Sequence, residues 1–179
     1  MWSTIHRTRP IIKEAIRGDF VVTEALIHVT RRALMEFRDA DAYSVRHEGL
    51  VFWGGLELDG TTLLTTAIVP DSDHSSSRVF VSEAAVGAAA RFLRQHGLGL
   101  LCQVHSHPGR DAQHSDGDDE LIILPFEGML SIVVPYFGSG FKSLLDAQVH
   151  QYQGGKWVLC SRRSVQQRIH QIPTTVNVR

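Results

Sequence analysis

What this chain lacks narrows it first. Its 179 residues hold only two cysteines, Cys102 and Cys160, far apart and in no metal-ligand pair spacing. That excludes a disulfide scaffold and suits a reducing cytoplasm. No apolar run approaches the roughly 20 residues that a membrane helix needs. The opening MWSTIHRTRPIIKEAIRGDF has no uninterrupted apolar core of the kind a signal peptide carries. The expectation is a protein inside the cell, with no membrane partner. Net charge is lacking too: at -1 the balance gives no reason to expect nucleic acid as a partner. Repeats and low-complexity linkers are also missing, so one domain is expected over 1–179, with a core from about 20 to 160 and a basic tail over 161–179. From Lys156 to Arg179 there are five basic residues and no acid.

What is present is a soluble, globular composition, 43% hydrophobic and 21% charged, with room for a sizeable core. TEALIHVTRRALMEFR, from 23 to 38, sets Leu26, Val29, Ala33 and Phe37 at helical spacing. GLVFWGGLEL and TTLLTTAIVP read as strands joined by Asp59 and Gly60, a strong hairpin signal. Ser82 is placed to cap a helix that Gly97 ends. LGLLCQV, from 98 to 104, reads as a buried strand, followed by a helix from about Ser115 to Leu124, a strand MLSIVVP, and a hairpin turning at Gly154 and Gly155. The class expected is α+β (α/β mixed), with a mostly antiparallel or mixed central sheet covered by helices.

The chemistry concentrates in LCQVHSHPGRDAQHSDGDDE, residues 101 to 120. His105 and His107 lie two apart, so on an extended backbone they point to the same side and can reach one ion. Pro108 then stiffens the exit. Asp118, in a helix beginning at Ser115, falls one turn in and on the same face as Ser115. Two neutral imidazoles and a carboxylate suit zinc and leave a fourth tetrahedral position open, as in catalytic rather than structural sites. Taken singly, each piece has a plainer reading. A His-x-His pair can be a surface accident, and SDGD can be a capping box. Cys102, three before His105, turns to the opposite face and reads as a buried thiol, and His114 reads as exposed in the loop. Phe52, Trp53 and Trp157 read as sheet packing, with a border to a substrate groove as the alternative.

The joint pattern H-x-H-P-x(6)-S-x-x-D resembles the signature of the JAMM metalloproteases, also called MPN-plus or JAB domains, with every fixed position present. The resemblance implies a JAB/MPN-like, cytidine-deaminase-like fold, one zinc ion per chain on His105, His107 and Asp118, and Ser115 helping to hold an oxyanion. It also implies an upstream glutamate that shuttles protons. Here that is Glu48, in RHEGLVFWGG, although Gly49 follows it directly where many relatives have a couple of residues between; Glu57 is the next candidate. The implied reaction is hydrolysis of the amide after the C-terminal glycine of a ubiquitin-like protein, whose tail and conjugates would be the partners. The compact length resembles prokaryotic stand-alone JAB proteins, some of which serve bacterial ubiquitin-like conjugation operons in antiviral defence. A relative that processes a sulfur-carrier protein and a non-catalytic MPN-type interaction module are the alternatives. A DNA-repair-associated relative gains no support from the near-neutral charge.

Overall fold

The computed structural model describes residues 13–40, 45–114 and 125–174. The chain opens with strands β1 (Lys13–Glu14) and β2 (Asp19–Thr23) and helix α1 (Glu24–Arg38). A hairpin of β3 (Leu50–Leu58) and β4 (Thr61–Ile68) follows, then a short arm of β5 (Asp73–His74) and β6 (Val79–Phe80) and helix α2 (Glu83–Gln95). Strands β7 (Gly99–Ser106) and β8 (Leu130–Val134) precede a second hairpin, β9 (Gln148–Gln153) and β10 (Lys156–Cys160), and the chain closes on α3 (Arg162–Arg168) and β11 (Ile169–Ile172). Among the described residues, nine strands make one sheet in the order β1-β10-β9-β8-β7-β3-β4-β2-β11, while β5 and β6 pair with each other. The β3–β4, β3–β7, β8–β9 and β9–β10 pairs are antiparallel; β1–β10, β7–β8, β2–β4 and β2–β11 are parallel. This is the expected α+β class with a mixed central sheet and flanking helices.

Local chemistry explains most element boundaries. Both hairpins turn on two residues of positive φ, Asp59 (48°) with Gly60 (83°) and Gly154 (59°) with Gly155 (79°), the geometry a two-residue turn needs to match strand twist. The Ser82 hydroxyl accepts the Ala85 N–H at 3.2 Å to start α2, and Gly97, at φ 72°, lets the chain leave it. Thr23 caps α1 in the same way, accepting from Leu26 N–H. The buried face of α1 differs from the expected one. Leu26, Ile27, Thr30, Ala33 and Leu34 are buried, whereas Val29 is 54% exposed. Thr30 takes the inner position because its hydroxyl accepts the buried Trp53 indole N–H at 2.7 Å, a bond that spacing alone does not reveal.

The helices divide between the two faces of the sheet. On one face α1 and α3 pack through Leu26, Ile27, Leu34 and Val165 onto Val51, Trp53, Cys102, Val104, Leu130 and Ile132. On the other, Ala89 of α2 packs with Leu50, Phe52, Val79, Val81 and Met129. Phe52 and Trp53 are therefore core, as expected of sheet packing. The segment expected as a basic tail is corrected in part. Ser161 caps α3 by accepting the Ser164 N–H, and β11 pairs in parallel with β2, Ile169 opposite Phe20, so Ile169–Ile172 forms the sheet edge and Arg162–Arg168 the helix that leads into it. Its arginines and glutamines face outward while Val165 and Ile169 turn in. The helix expected from Ser115 to Leu124 lies outside the described residues. Among the described residues no helix is long and apolar enough to cross a membrane.

Both cysteines are free and buried on the α1 face. Burial pushes the Cys102 thiol well up, and burial with the nearby Glu14 charge pushes Cys160 up from 9.0 to about 12. Between about pH 9 and 12 the unfolded chain therefore sheds a proton from Cys160 that the folded chain keeps, so this contribution to stability is whole below pH 9 and is lost as pH rises. Neither thiol is expected to react with a thiol reagent at pH 8 unless denaturant is added. Rapid labelling of the native protein would contradict this burial.

Candidate active site

The site is assembled by one strand pairing. β3 and β7 run antiparallel with Leu50 opposite His105, Val51 opposite Val104 and Phe52 opposite Gln103. Two further bonds carry the pairing past the end of β3: Ser106 N–H donates to the Gly49 carbonyl at 3.0 Å, and Gly49 N–H donates to the Ser106 hydroxyl at 3.1 Å. Counting on in this register sets Glu48 opposite His107. Because strand side chains alternate, Glu48, Leu50 and Phe52 share the face of Gln103 and His105. Glu48 is 8% exposed, and its N–H donates to the Ser75 carbonyl at 2.8 Å, so the β5–β6 arm holds the carboxylate's own backbone. Next to it, His47 Nδ1 and His74 Nδ1 pair at 2.8 Å, and Phe37 of α1 meets the His74 ring edge-on. Glu57 is at the far end of β3, exposed and opposite Thr62 by the hairpin turn, remote from both histidines.

The two imidazoles suit a shared ion. Their ring centroids are 5.1 Å apart. Two imidazoles on one tetrahedral zinc, with Zn–N near 2.0–2.1 Å, would have centroids about 5 Å apart. His105 is 1% exposed at the end of β7. His107 Nδ1 lies 3.1 Å from the Asp111 carbonyl oxygen, which can only accept, so that ring donates from Nδ1 and presents Nε2 as its lone-pair nitrogen. The backbone around it is tied to the end of β8, His107 N–H to the Val134 carbonyl and Phe137 N–H to the His107 carbonyl. Among the described residues no three His, Cys, Asp or Glu side chains form a complete metal-binding group. Asp118 and Ser115, the other two expected members, lie outside the described residues.

Sequence reasoning missed His114. Expected to be exposed, it is half-buried, its Nε2 2.7 Å from the Ser131 hydroxyl, which also receives the Gln103 side-chain amide at 2.9 Å. Its ring packs tilted against His150 at 4.3 Å and lies 5.3 Å from Trp157 and 5.8 Å from His105. Register explains the company: Gln103 pairs with Ser131 and Ser131 with His150, a polar row crossing β7, β8 and β9 on the face of His105. Trp157, opposite Tyr152, continues that face on β10 and borders the histidines. No local signal marks His114; its hydroxyl partner Ser131 and its ring neighbours His150 and Trp157 come from strands seventeen or more residues away.

Comparison with known proteins places this site in context. No family model matches the chain. Over 95 residues it is 36% identical to a probable metalloprotease of Sinorhizobium fredii, an alignment covering 51% of this chain and 58% of that one, so the chain spans a little over half the relative's length. A protein of Desulfitobacterium hafniense solved in solution shares the fold, with TM-score 0.60 and 15% identity over 87% of this chain and 92% of the other. A JAB1/MPN domain protein from Archaeoglobus fulgidus aligns over 86% of this chain and 96% of its own at 14% identity, with TM-score 0.46.

The adjacent Gly49, the departure from many relatives, has a physical reason here. A Cβ at this position would come within 2.5 Å of the Phe37 ring and 2.8 Å of its Cβ. Gly49→Ala is therefore expected to push Phe37 and the start of β3 apart, costing about 1–3 kcal/mol in a denaturant titration. Wild-type stability for this variant would show that the α1 contact does not fix the strand that carries Glu48.

Proposed function

We propose that this chain is a JAMM-type zinc peptidase, an isopeptidase that hydrolyses the amide bond after the C-terminal glycine of a ubiquitin-like protein, by deconjugation or precursor trimming, in a bacterial conjugation system of the antiviral kind. The observation that carries the reading is the β3–β7 register, which sets Glu48 opposite His107 and on the face of His105. The relative named as a probable metalloprotease supports peptidase chemistry.

His105, His107 and Asp118 would hold the zinc, His107 through the Nε2 that its bond to the Asp111 carbonyl leaves as the ligating atom. When bound, zinc supplies Lewis-acid polarisation of the scissile carbonyl and lowers the pKa of water to about 7. The chain's own residues do the rest. Glu48, buried and with its backbone N–H bonded to Ser75, would take a proton from the attacking water and return it to the leaving amine. Ser115, following the resemblance, donates a hydrogen bond where negative charge develops on the carbonyl oxygen. An extended glycine tail fits this account because a substrate without side chains allows the closest approach to an ion at a strand end, and sheet-edge pairing reads backbone rather than side chains.

The test is cleavage of ubiquitin-like proteins bearing a C-terminal extension, with zinc-loaded wild type beside Glu48→Gln. Wild type is expected to cut after the last glycine, and Glu48→Gln to retain zinc while turnover falls at least roughly 10²-fold. Chelator should abolish activity and added zinc restore it. An active Glu48→Gln enzyme overturns the assignment of the base, and activity in a metal-free preparation overturns the mechanism.

A further inference from the structure

The loop that leaves β7 at His107 is held at both ends by groups of β8 and its continuation. At its start, His107 N–H donates to the Val134 carbonyl at 2.9 Å, Phe137 N–H to the His107 carbonyl at 2.8 Å and Tyr136 N–H to the Gly109 carbonyl at 3.1 Å. In its middle Ala112 is 2% exposed, and Gln113 N–H donates to the Asp111 carboxylate at 3.0 Å. At its end stands His114, bonded to Ser131 and enclosed by the rings of His150, Trp157 and His105. Ser131 is wholly buried in the interior of β8 and also receives the Gln103 amide; one hydroxyl has the proton and lone pairs to serve both neighbours.

We propose that His114 is a positioning residue, the clamp that locks the end of the His107 loop to β8 through Ser131. The argument is one of conformational freedom. A loop of eight residues from His107 to His114, anchored only at its start, would leave the His107 ring and its Asp111 partner free to sample other arrangements, and ordering each residue costs backbone entropy. Anchored at both ends, the loop meets that cost in folding rather than in binding, and the His107 Nδ1–H bond to the Asp111 carbonyl is formed in advance. An aliphatic residue at 114 would fill the ring box but leave Ser131 without this partner. A histidine does both, which accounts for an imidazole in a place where the zinc reading does not use one.

This inference deepens the metal-centre reading, so the test separates the two. Hydrogen exchange is measured on the full-length, metal-free protein for wild type, His114→Ala, His114→Gln and Ser131→Ala, and zinc affinity is measured on the same proteins by competition with a chelating dye. The clamp predicts faster exchange at the His107, Gln113, Tyr136 and Phe137 amides in His114→Ala and Ser131→Ala, with β3 and β10 amides unchanged, and partial recovery in His114→Gln, whose amide can still bond Ser131. It also predicts zinc affinity about tenfold weaker in both alanine variants, the lower end of the effect of losing an outer partner of a ligand. Unchanged loop exchange in both alanine variants overturns the clamp. So does a Ser131→Ala protein that binds zinc like wild type while His114→Ala does not, since that pattern makes His114 a ligand. If the loop exchange changes as predicted but wild type binds no zinc, the clamp stands and the metal reading falls.

Discussion

Everything at this site depends on the pairing of β3 with β7. The register that sets Leu50 against His105 sends Glu48 to the same face as the imidazoles and one position further along, opposite His107. A slip of one residue would turn Glu48 to the α1 face, where the neighbours are Val51, Trp53 and Val104. The register is pinned beyond the strand end by the reciprocal bonds of Gly49 and Ser106, and from outside by Phe37, which packs where a Gly49 side chain would be. The same phenyl ring touches His74, which bonds His47 beside Glu48. Helix α1, the β5–β6 arm and the start of β3 thus meet at the backbone of Glu48 and Gly49.

On the middle strands the two faces of the sheet differ. The α1 face there carries Val51, Trp53, Val104, Leu130, Ile132 and Cys102, and like Cys160 the Cys102 thiol is kept protonated by burial. The other face carries the row Gln103, Ser131 and His150, with His105 beside it. Polar groups in the middle of a sheet are costly unless they bond one another, and here the Gln103 amide and His114 meet on the Ser131 hydroxyl. Such a network specifies one arrangement of the strands that carry it. It borders His105, the imidazole at the end of β7, rather than lying among the apolar side chains of the α1 face.

Legibility in the sequence followed the range of the determining interaction. Turns and caps are local, so Asp59-Gly60, Gly154-Gly155, Ser82 and Gly97 marked their elements correctly. The buried face of α1 was only partly legible, because Thr30 is inside by virtue of an indole on β3 while Val29, apolar and at helical spacing, is 54% exposed. Strand β11 was missed since Ile169–Ile172 is a sheet edge with three of its four residues exposed and no alternation to read. Within the site, His105 and His107 could be paired from their spacing alone. Glu48 was preferred to Glu57 on the resemblance, and what spacing could not give is the register that sets Glu48 opposite His107 and leaves Glu57 by the hairpin turn; His114 needed Ser131, which lies seventeen residues further on and on another strand. Polar side chains in a row across strands leave no periodic trace in any one of them.

The central claim is that zinc binds on the face of Glu48 and His105 through nitrogen and oxygen. X-ray absorption at the zinc edge on the purified, zinc-loaded protein tests it most directly. The account predicts two imidazole nitrogens with oxygen completing a four-coordinate shell near 2.0–2.1 Å, and no sulfur. A sulfur shell near 2.3 Å would place the ion with Cys102 or Cys160 on the opposite face and contradict the account.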